Sequence, residues 1–277
     1  MSPALPLESI AFIGGGNMAS AIIGGLLRQG LAPQQVQVVE PLAEQRERLL
    51  AQWPIRVLAA PDASLAVAQL AVWAVKPQTF AQAAAQAGPH LQAALHLSVA
   101  AGIRSDSIAD WLGSQRVVRA MPNTPALIGQ GMTALFARPA VTASERHQVE
   151  AVIRTTGESL WLEQEKQLDA VTALSGSGPA YVFYFIEAMT QAGVDMGLPE
   201  AQALRLAKAT FSGASALAQE ASEPPQVLRE RVTSKGGTTY AALMAMEHAG
   251  LKGHFVAAIR AAEARAAELG DEFGKAS

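Results

Sequence analysis

Short apolar runs alternate with longer amphipathic segments from Ser9 to Arg138. Apolar runs bounded by turn residues are typical of buried strands, and apolar residues at helical spacing fill the segments between them. Five runs are predicted to be strands: Ile10–Ile13, Val36–Val39, Leu70–Val75, Leu95–Val99 and Arg116–Arg119. Three segments are predicted to be helices: Ala19–Gln29, Leu42–Gln52 and Thr79–Ala87. The alternation indicates an α/β fold with a doubly wound parallel sheet.

Beyond Trp161 the strand pattern fades and Ala-, Leu- and Met-rich segments take over. Five helices are predicted there: Lys166–Leu174, Pro179–Met196, Pro199–Ala221, Thr238–Ala249 and Phe255–Leu269. The sequence therefore predicts a dinucleotide-type α/β domain over residues 1–162 and an all-helical domain over residues 163–277. The stretch Ala180–Ile186 is apolar on every face of a helix, which indicates burial all round. A small domain needs a second subunit for that, so we predict a homodimer or a ring of dimers.

Composition excludes several classes of protein. The 21 Lys and Arg residues are scattered and offset by 24 Asp and Glu, so nothing predicts nucleic-acid binding. The sequence holds no cysteine, no apolar run long enough for a membrane span, and no positive segment typical of a secretory signal in Met1–Glu8. We therefore expect a cytoplasmic protein. The dispersed histidines show no metal-ligand spacing, so no metal is predicted: His90, His96, His147, His248 and His254.

A glycine-rich turn joins the first predicted strand to the first predicted helix. It has the G-x-G-x-x-A form of a Rossmann-like dinucleotide-binding turn, in which the second glycine of the motif, here Gly16, lets the backbone approach the pyrophosphate at the helix N-terminus. The residues predicted to bind a nicotinamide dinucleotide here are Gly14, Gly15, Gly16, Asn17 and Met18, followed by Ala19. The competing interpretation is a strand-to-helix turn that binds no ligand.

Glu40 ends the second predicted strand, where an acidic residue accepts hydrogen bonds from the ribose 2′-hydroxyl and repels a 2′-phosphate. Alone, it favours NADH over NADPH. Two alternatives stay open. The first is that Glu40 is only a solvated residue before Pro41. The second is that one of the nearby arginines, Arg46 or Arg48, reaches the 2′-phosphate of NADPH.

Six motifs in this order closely resemble those of pyrroline-5-carboxylate reductase, and the likeness covers nearly the whole chain. They are Phe12–Ala19, Ala74–Pro77, Ser98–Gly102, Met121–Pro125, Leu174–Tyr181 and Val232–Thr239. The resemblance implies reduction of 1-pyrroline-5-carboxylate to L-proline, the last step of proline biosynthesis, by a hydride from NADH or NADPH. Because a protonated imine is already electrophilic, the main tasks of such a protein are to orient two ligands and exclude water.

The same resemblance implies the remaining site residues. Ser234, Gly236, Gly237 and Thr238 would hold the substrate carboxylate, and the Thr239 hydroxyl would lie near the ring nitrogen, which makes Ser234 and Thr239 the catalytic candidates. An ordinary helix N-cap is the competing interpretation of this loop. Lys235 stands where many members of the family have Pro, and we assign it no essential role. Ser177 would lie beside the substrate. Loops bordering the cofactor would contribute Ala74, Val75, Lys76, Pro77, Ala100 and Asn123.

Two other hypotheses compete with this one. A short hydroxyacid dehydrogenase of related architecture would need a catalytic Lys on its long interdomain helix, but Pro179–Met196 contains none. A regulator that senses the dinucleotide without catalysis would not need the anion-binding loop at Ser234–Thr239.

Overall fold

The computed structural model describes residues 7–274, and eight strands in this range form one sheet. They are β1 (Ile10–Ile13), β2 (Val36–Val39), β3 (Arg56–Leu58), β4 (Leu70–Trp73), β5 (Leu95–Ser98), β6 (Val117–Met121), β7 (Gly131–Ala137) and β8 (Gly157–Trp161). Their order is β3-β2-β1-β4-β5-β6-β7-β8, and the first six run parallel. The predicted Rossmann-like fold is confirmed, and the order reverses between β1 and β4, where such sheets bind ligands.

The sheet differs from the prediction at one edge. Strand β7 runs antiparallel to β6, and β8 pairs parallel with β7. The physical reason is the short connection between Met121 and Gly131, which leaves no room for the crossover helix that a parallel neighbour requires. The sequence analysis missed β3, β7 and β8 because their apolar alternation is short or interrupted by Gly and polar residues.

Eleven α-helices are described. In chain order they are α1 (Asn17–Arg28), α2 (Ala43–Gln52), α3 (Pro77–Ala87), α4 (Ser105–Leu112), α5 (Ala143–Ile153), α6 (Gln167–Val171), α7 (Gly178–Asp195), α8 (Glu200–Glu220), α9 (Pro225–Arg231), α10 (Thr238–His248) and α11 (Leu251–Gly274). Helices α4, α5 and α9 were not predicted. A π-helical turn, Thr172–Gly176, occupies the end of the predicted helix Lys166–Leu174.

The chain folds into two compact units. The sheet unit comprises residues up to Gly176 together with those from Ala262 onward, and the helical unit comprises Ser177–Ala261. The domain boundary predicted between residues 162 and 163 stays a prediction. No helix within residues 7–274 is long and apolar enough to cross a membrane, and no cluster of His, Asp and Glu side chains in that range is placed to hold a metal ion. Of the segment Met1–Glu8, residues 1–6 lie outside the described range.

The core lies on both faces of the sheet. Strand β1 is fully buried, with Ile10 and Phe12 in one apolar cluster and Ala11 and Ile13 in the other. Burial on both faces explains why the parallel strands are continuous apolar runs rather than alternating ones.

An ion-pair network that the sequence analysis missed joins β6 to the segment after β8. Arg119 of β6 is buried, and its Nη1 donates to Glu165 Oε1 at 2.7 Å. The second carboxylate oxygen of Glu165 accepts from Ser105 Oγ at 2.6 Å, and Arg104 donates to both carboxylate oxygens of Asp169. These contacts fix the segment that leads into the π-helical turn.

His96 of β5 makes the stability of the protein depend on pH. The side chain is 1% exposed, its Nδ1 accepts from Trp73 Nε1 at 3.2 Å, and burial lowers its pKa to about 4. Below about pH 6.5 the unfolded chain binds a proton at His96, whereas His96 of the folded chain stays neutral down to about pH 4. The free energy of unfolding therefore falls as the pH drops from about 6.5 to 4, by at most about 1.4 kcal/mol per pH unit. Urea unfolding at fixed protein concentration measures the slope. His96→Gln, which keeps an acceptor for Trp73, is expected to flatten it; an unchanged slope would refute the assignment.

Candidate cofactor and substrate sites

The glycine turn lies at the carboxyl ends of β1, β2 and β4. Gly14 has a φ of +93°, and a Cβ there would lie 2.6 Å from the Ala74 carbonyl oxygen. The Gly14 N–H donates to Val39 O at 2.9 Å. Because the backbone packs this closely against both neighbouring strands, only glycine fits the first position of the turn.

The peptide units of Gly15 are held from two sides. Its N–H donates to Glu40 Oε2 at 2.9 Å, and its carbonyl oxygen accepts from Gln45 Nε2 at 2.5 Å. The other oxygen of Glu40 accepts from Leu42 N at 2.9 Å, and Glu40 is 7% exposed. Glu40 therefore fixes the turn, and it is not the solvated residue that was one alternative in the sequence. Each carboxylate oxygen keeps a further lone pair for a ligand.

Gly16 is the N-cap of α1 and faces open space. No atom lies within 4 Å of a Cβ placed on it, and its φ of −70° suits any residue. Within the described chain, no side chain accepts a hydrogen bond from this helix end, and no acidic residue lies in the first turn of α1. The free N–H groups and the helix dipole make this end suitable for an anion.

A cavity of about 330 Å³ opens beside the turn at the switch point of the sheet. It is lined by Gly14 and Val75, by the loop 59–61 after β3, and by polar side chains of α3 that include Thr79 and Gln82. The sequence predicted Gly14 and Val75 but missed the other residues. Recognising β3 would have identified the loop, since residues that follow parallel strands gather at this edge.

Three other residues that were predicted to border the cofactor lie outside this cavity. Lys76 is exposed at the N-cap of α3, and Pro77 is the first residue of that helix. Ala100 is buried, and its N–H donates to Ser98 Oγ at 3.3 Å. Of these three residues, none lines the cavity.

The loop after β6 is tied to the π-helical turn, so two distant motifs meet. Asn123 Nδ2 donates to Ser175 O at 3.3 Å, and its Oδ1 accepts from Met132 N at 2.9 Å. The terminal methyl of Met121 packs directly against Gly176 and would have to move if a Cβ were added there. Ser175 Oγ is buried and has no hydrogen-bond partner within residues 7–274. Such π turns are frequent at functional sites, and this one places an unused hydroxyl near Asn123.

In the helical unit, Ser234–Thr239 forms a tight loop that runs into α10. Gly236 has a φ of +75°, the Gly237 N–H donates to Ser234 O at 3.0 Å, and Ser234 Oγ would lie 2.6 Å from a Cβ on Gly237. Gly237 is the N-cap, and no side chain of the described residues caps this helix. The structure therefore does not show the Ser or Thr N-cap that competed with an anion site, and the first N–H groups of α10 keep their capacity to bind one.

Large apolar side chains of the helical unit are exposed in the single chain. Within α7, Phe183 is 59% and Tyr184 68% exposed, while Met196 just after it is 77% exposed. Large apolar side chains exposed in this way indicate an interface.

Two family models match the chain. "Pyrroline-5-carboxylate reductase dimerisation" matches residues 165–269, and "NADP oxidoreductase coenzyme F420-dependent" matches residues 9–102. The pyrroline-5-carboxylate reductase of Pseudomonas aeruginosa is 42% identical over 96% of this chain and 98% of its own length. That of Pisum sativum is 36% identical over 94% of this chain and 98% of its own length.

Solved structures agree with these sequence matches. A pyrroline-5-carboxylate reductase from Coxiella burnetii superposes with a TM-score of 0.89 at 34% identity, covering 95% of this chain and 98% of the other. The pyrroline carboxylate reductase of Plasmodium falciparum, solved with NADP bound, gives a TM-score of 0.84 at 26% identity, covering 96% and 99%.

Proposed function

Because this chain belongs to the pyrroline-5-carboxylate reductase family, we propose that it reduces 1-pyrroline-5-carboxylate to L-proline with a hydride from NADH or NADPH, as the last step of proline biosynthesis. The observation that carries this is the 42% identity to a reductase of that name over 96% of the chain. The chain is thus a pyridine-nucleotide-dependent oxidoreductase. The match in both halves disfavours a hydroxyacid dehydrogenase and a non-catalytic regulator.

The described residues fit a dinucleotide. The unobstructed space at Gly16 and the uncapped N-terminus of α1 support binding of the pyrophosphate there, with the N–H groups of Asn17 and Met18 as donors. The cavity beside Gly14 and Val75 suits the adenosine end, and Glu40, whose two chain neighbours line the cavity and whose side chain holds the Gly15 N–H, suits the ribose. The loop at Asn123 would border the nicotinamide. When bound, the cofactor supplies the hydride.

The substrate assignment rests on the loop before α10. We assign its carboxylate to the Ser234 hydroxyl and to the loop of Gly236, Gly237 and Thr238. No side chain of the described residues caps α10, and the Gly237 N–H, which donates to Ser234 O, fixes the loop that presents the neighbouring N–H groups of Gly236 and Thr238. The Thr239 hydroxyl would hold or deliver the proton at the ring nitrogen, directly or through water. Ser177 at the start of α7 would lie beside the ring.

One assay tests the reaction. NADH and NADPH absorbance is followed with 1-pyrroline-5-carboxylate and, in parallel, with a panel of oxoacids. We expect oxidation of the cofactor with the imine and formation of proline. Activity only with oxoacids would favour the hydroxyacid dehydrogenase, and no oxidation under any condition would favour the regulator.

Glu40 is expected to set the choice of cofactor. Replacing Glu40 with Ser removes both the acceptor for the ribose 2′-hydroxyl and the charge that repels a 2′-phosphate, so kcat/KM for NADPH relative to NADH should rise by about tenfold, which corresponds to about 1.4 kcal/mol. Arg46, whose Nη1 donates to Glu40 O and Pro41 O, lies close to Glu40 and would bind the 2′-phosphate of NADPH.

Kinetics with both cofactors checks this, with Glu40→Gln as the matched variant that loses the charge alone. An equal loss for both cofactors in each variant would show that Glu40 only fixes the Gly15 turn.

The chain assembles through its helical unit, since the matched family model is a dimerisation domain and the apolar side chains there are exposed. We propose a homodimer that also forms rings of dimers, located in the cytoplasm. Sedimentation at micromolar concentration measures the assembly. A single species of monomer mass would refute it, and a dimer without larger species would refute the ring.

A further inference from the structure

A second cavity of about 330 Å³ lies between α1 and α2, and we name it the α1–α2 groove. Its lining includes Ser20, Gly24 and Arg28 of α1, together with Arg48 of α2 and Trp53 just after it. The groove shares no lining residue with the cavity proposed for the adenosine end. Of its lining residues, Asn17 is assigned above to the cofactor pyrophosphate and Arg48 is one candidate for the 2′-phosphate of NADPH, whereas Arg28 has no assigned role.

The charge of the groove is unbalanced. Arg28 and Arg48 both line it, and no Asp or Glu does. Within the described part of the sheet unit, the other arginines each have a carboxylate, carbonyl or aromatic partner: Arg46, Arg56, Arg104, Arg116, Arg119, Arg138, Arg146, Arg154 and Arg265. Arg28 has none among residues 7–274, and Arg48 reaches only the amide oxygen of Gln45, at 3.5 Å. Two uncompensated cations in one groove favour an anion between them.

The side chains around Gly24 also give the groove a shape that suits a small anion. A Cβ on Gly24 would lie 3.2 Å from Arg28 Nη1 and 3.3 Å from Trp53 Cζ2, so the guanidinium and the indole ring both lie over the bare helix surface at Gly24. Ser20, one turn before Gly24, contributes a hydroxyl. The planar guanidinium of an arginine can donate two parallel hydrogen bonds to two oxygens of a phosphoryl group.

We propose that the α1–α2 groove is a second anion site, which binds a small molecule bearing phosphoryl groups between Arg28 and Arg48. Gln45 separates it from the cofactor turn, because its side chain lines the groove while its Nε2 is bonded to Gly15 O. One end of the groove reaches Asn17, which is also assigned to the cofactor pyrophosphate, whereas Arg28 lies about three turns further along α1. The proposed site at Arg28 and Arg48 therefore adjoins the cofactor position at Gly16 but is centred away from it.

The test uses inorganic pyrophosphate and the full chain saturated with NADH, so that the cofactor position is filled. Equilibrium dialysis at constant ionic strength is expected to show one pyrophosphate per chain. Arg28→Gln, and independently Arg48→Gln, should weaken binding at least about tenfold, the effect of losing one charge-assisted bond. Arg56→Gln is the matched control, since Arg56 is an exposed arginine of the same unit outside the groove, and it should change binding less than about twofold.

Three results would overturn the proposal. They are no binding to the NADH complex, displacement of NADH by pyrophosphate, and equal weakening by Arg28→Gln and Arg56→Gln. The second would mean that pyrophosphate enters only the cofactor position, and the third that it responds only to net charge. A melting temperature within the error of the unmodified protein confirms that each variant is folded.

Discussion

Thr239→Ala is expected to lower kcat by about a hundredfold, the lower end of the range for losing a positioned proton donor. The affinity for NADH should stay nearly unchanged, because Thr239 lies in the helical unit and the proposed cofactor residues lie in the sheet unit. The physical reason is that the alanine removes the hydroxyl proposed to serve the ring nitrogen while keeping the N–H groups that hold the carboxylate. Stopped-flow hydride transfer and NADH titration measure the two quantities separately.

The chain offers a matched control in the adjacent residue. Thr238→Ala removes a hydroxyl to which no role is assigned, and it should leave kcat within about threefold, while Thr239→Ser should restore most of the activity. If Thr239→Ala instead loses NADH binding, the loop at Ser234–Thr239 has been assigned to the wrong ligand. Equal effects of the two alanine variants would point to a general disturbance of α10.

Gly16→Ala is expected to raise the Kd for NADH by about a hundredfold without harming the fold. An added Cβ meets no atom within 4 Å and the φ of −70° suits alanine, so stability should be unchanged or slightly higher. The methyl group would occupy the space proposed for the pyrophosphate. Losing two charge-assisted bonds costs about 3 kcal/mol, which is the stated hundredfold. Fluorescence titration with NADH and thermal unfolding measure the two effects.

Two comparisons sharpen this test. Gly213→Ala also adds a Cβ that meets nothing, but on α8 and far along the chain from the turn, so its NADH affinity should be unaltered. Gly14→Ala would be less informative, because a Cβ there collides with the Ala74 carbonyl and disturbs the sheet itself. Normal NADH binding by Gly16→Ala would remove the pyrophosphate from the N-terminus of α1.

The apolar pattern was sufficient for most of the sheet. The central strands β1, β2, β4, β5 and β6 are buried on both faces. Their sequences are therefore continuous apolar runs that can be recognised as strands without the structure. The edge strand β3 and the pair β7 and β8 were missed. The side chains of these strands are partly solvated, or glycine interrupts their apolar pattern. The direction of β7 depends on the length of the connection that precedes it rather than on the composition of the strand.

The residues of the proposed sites also divide into those that the sequence predicted and those that only the folded chain shows. Local motifs predicted the glycine turn and the loop before α10, because a tight turn and a helix start are encoded within a few residues. Glu40 was predicted as a ribose ligand, yet its bond to the Gly15 N–H joins residues 25 positions apart and only the folded chain shows it. The contact of Asn123 with Ser175 and the ion pair of the buried Arg119 with Glu165 are likewise long-range and have no local signal.

By itself, then, the sequence determined the class of fold, the kind of cofactor and, through its motifs, the family. These follow from side-chain periodicity and from turns that only a few residues can form. The tertiary structure alone decided how the glycine turn is held, which N–H groups are left uncapped, and that Arg28 and Arg48 share one groove. Those features arise where segments far apart in the chain meet, and neither spacing nor composition records which segments will meet.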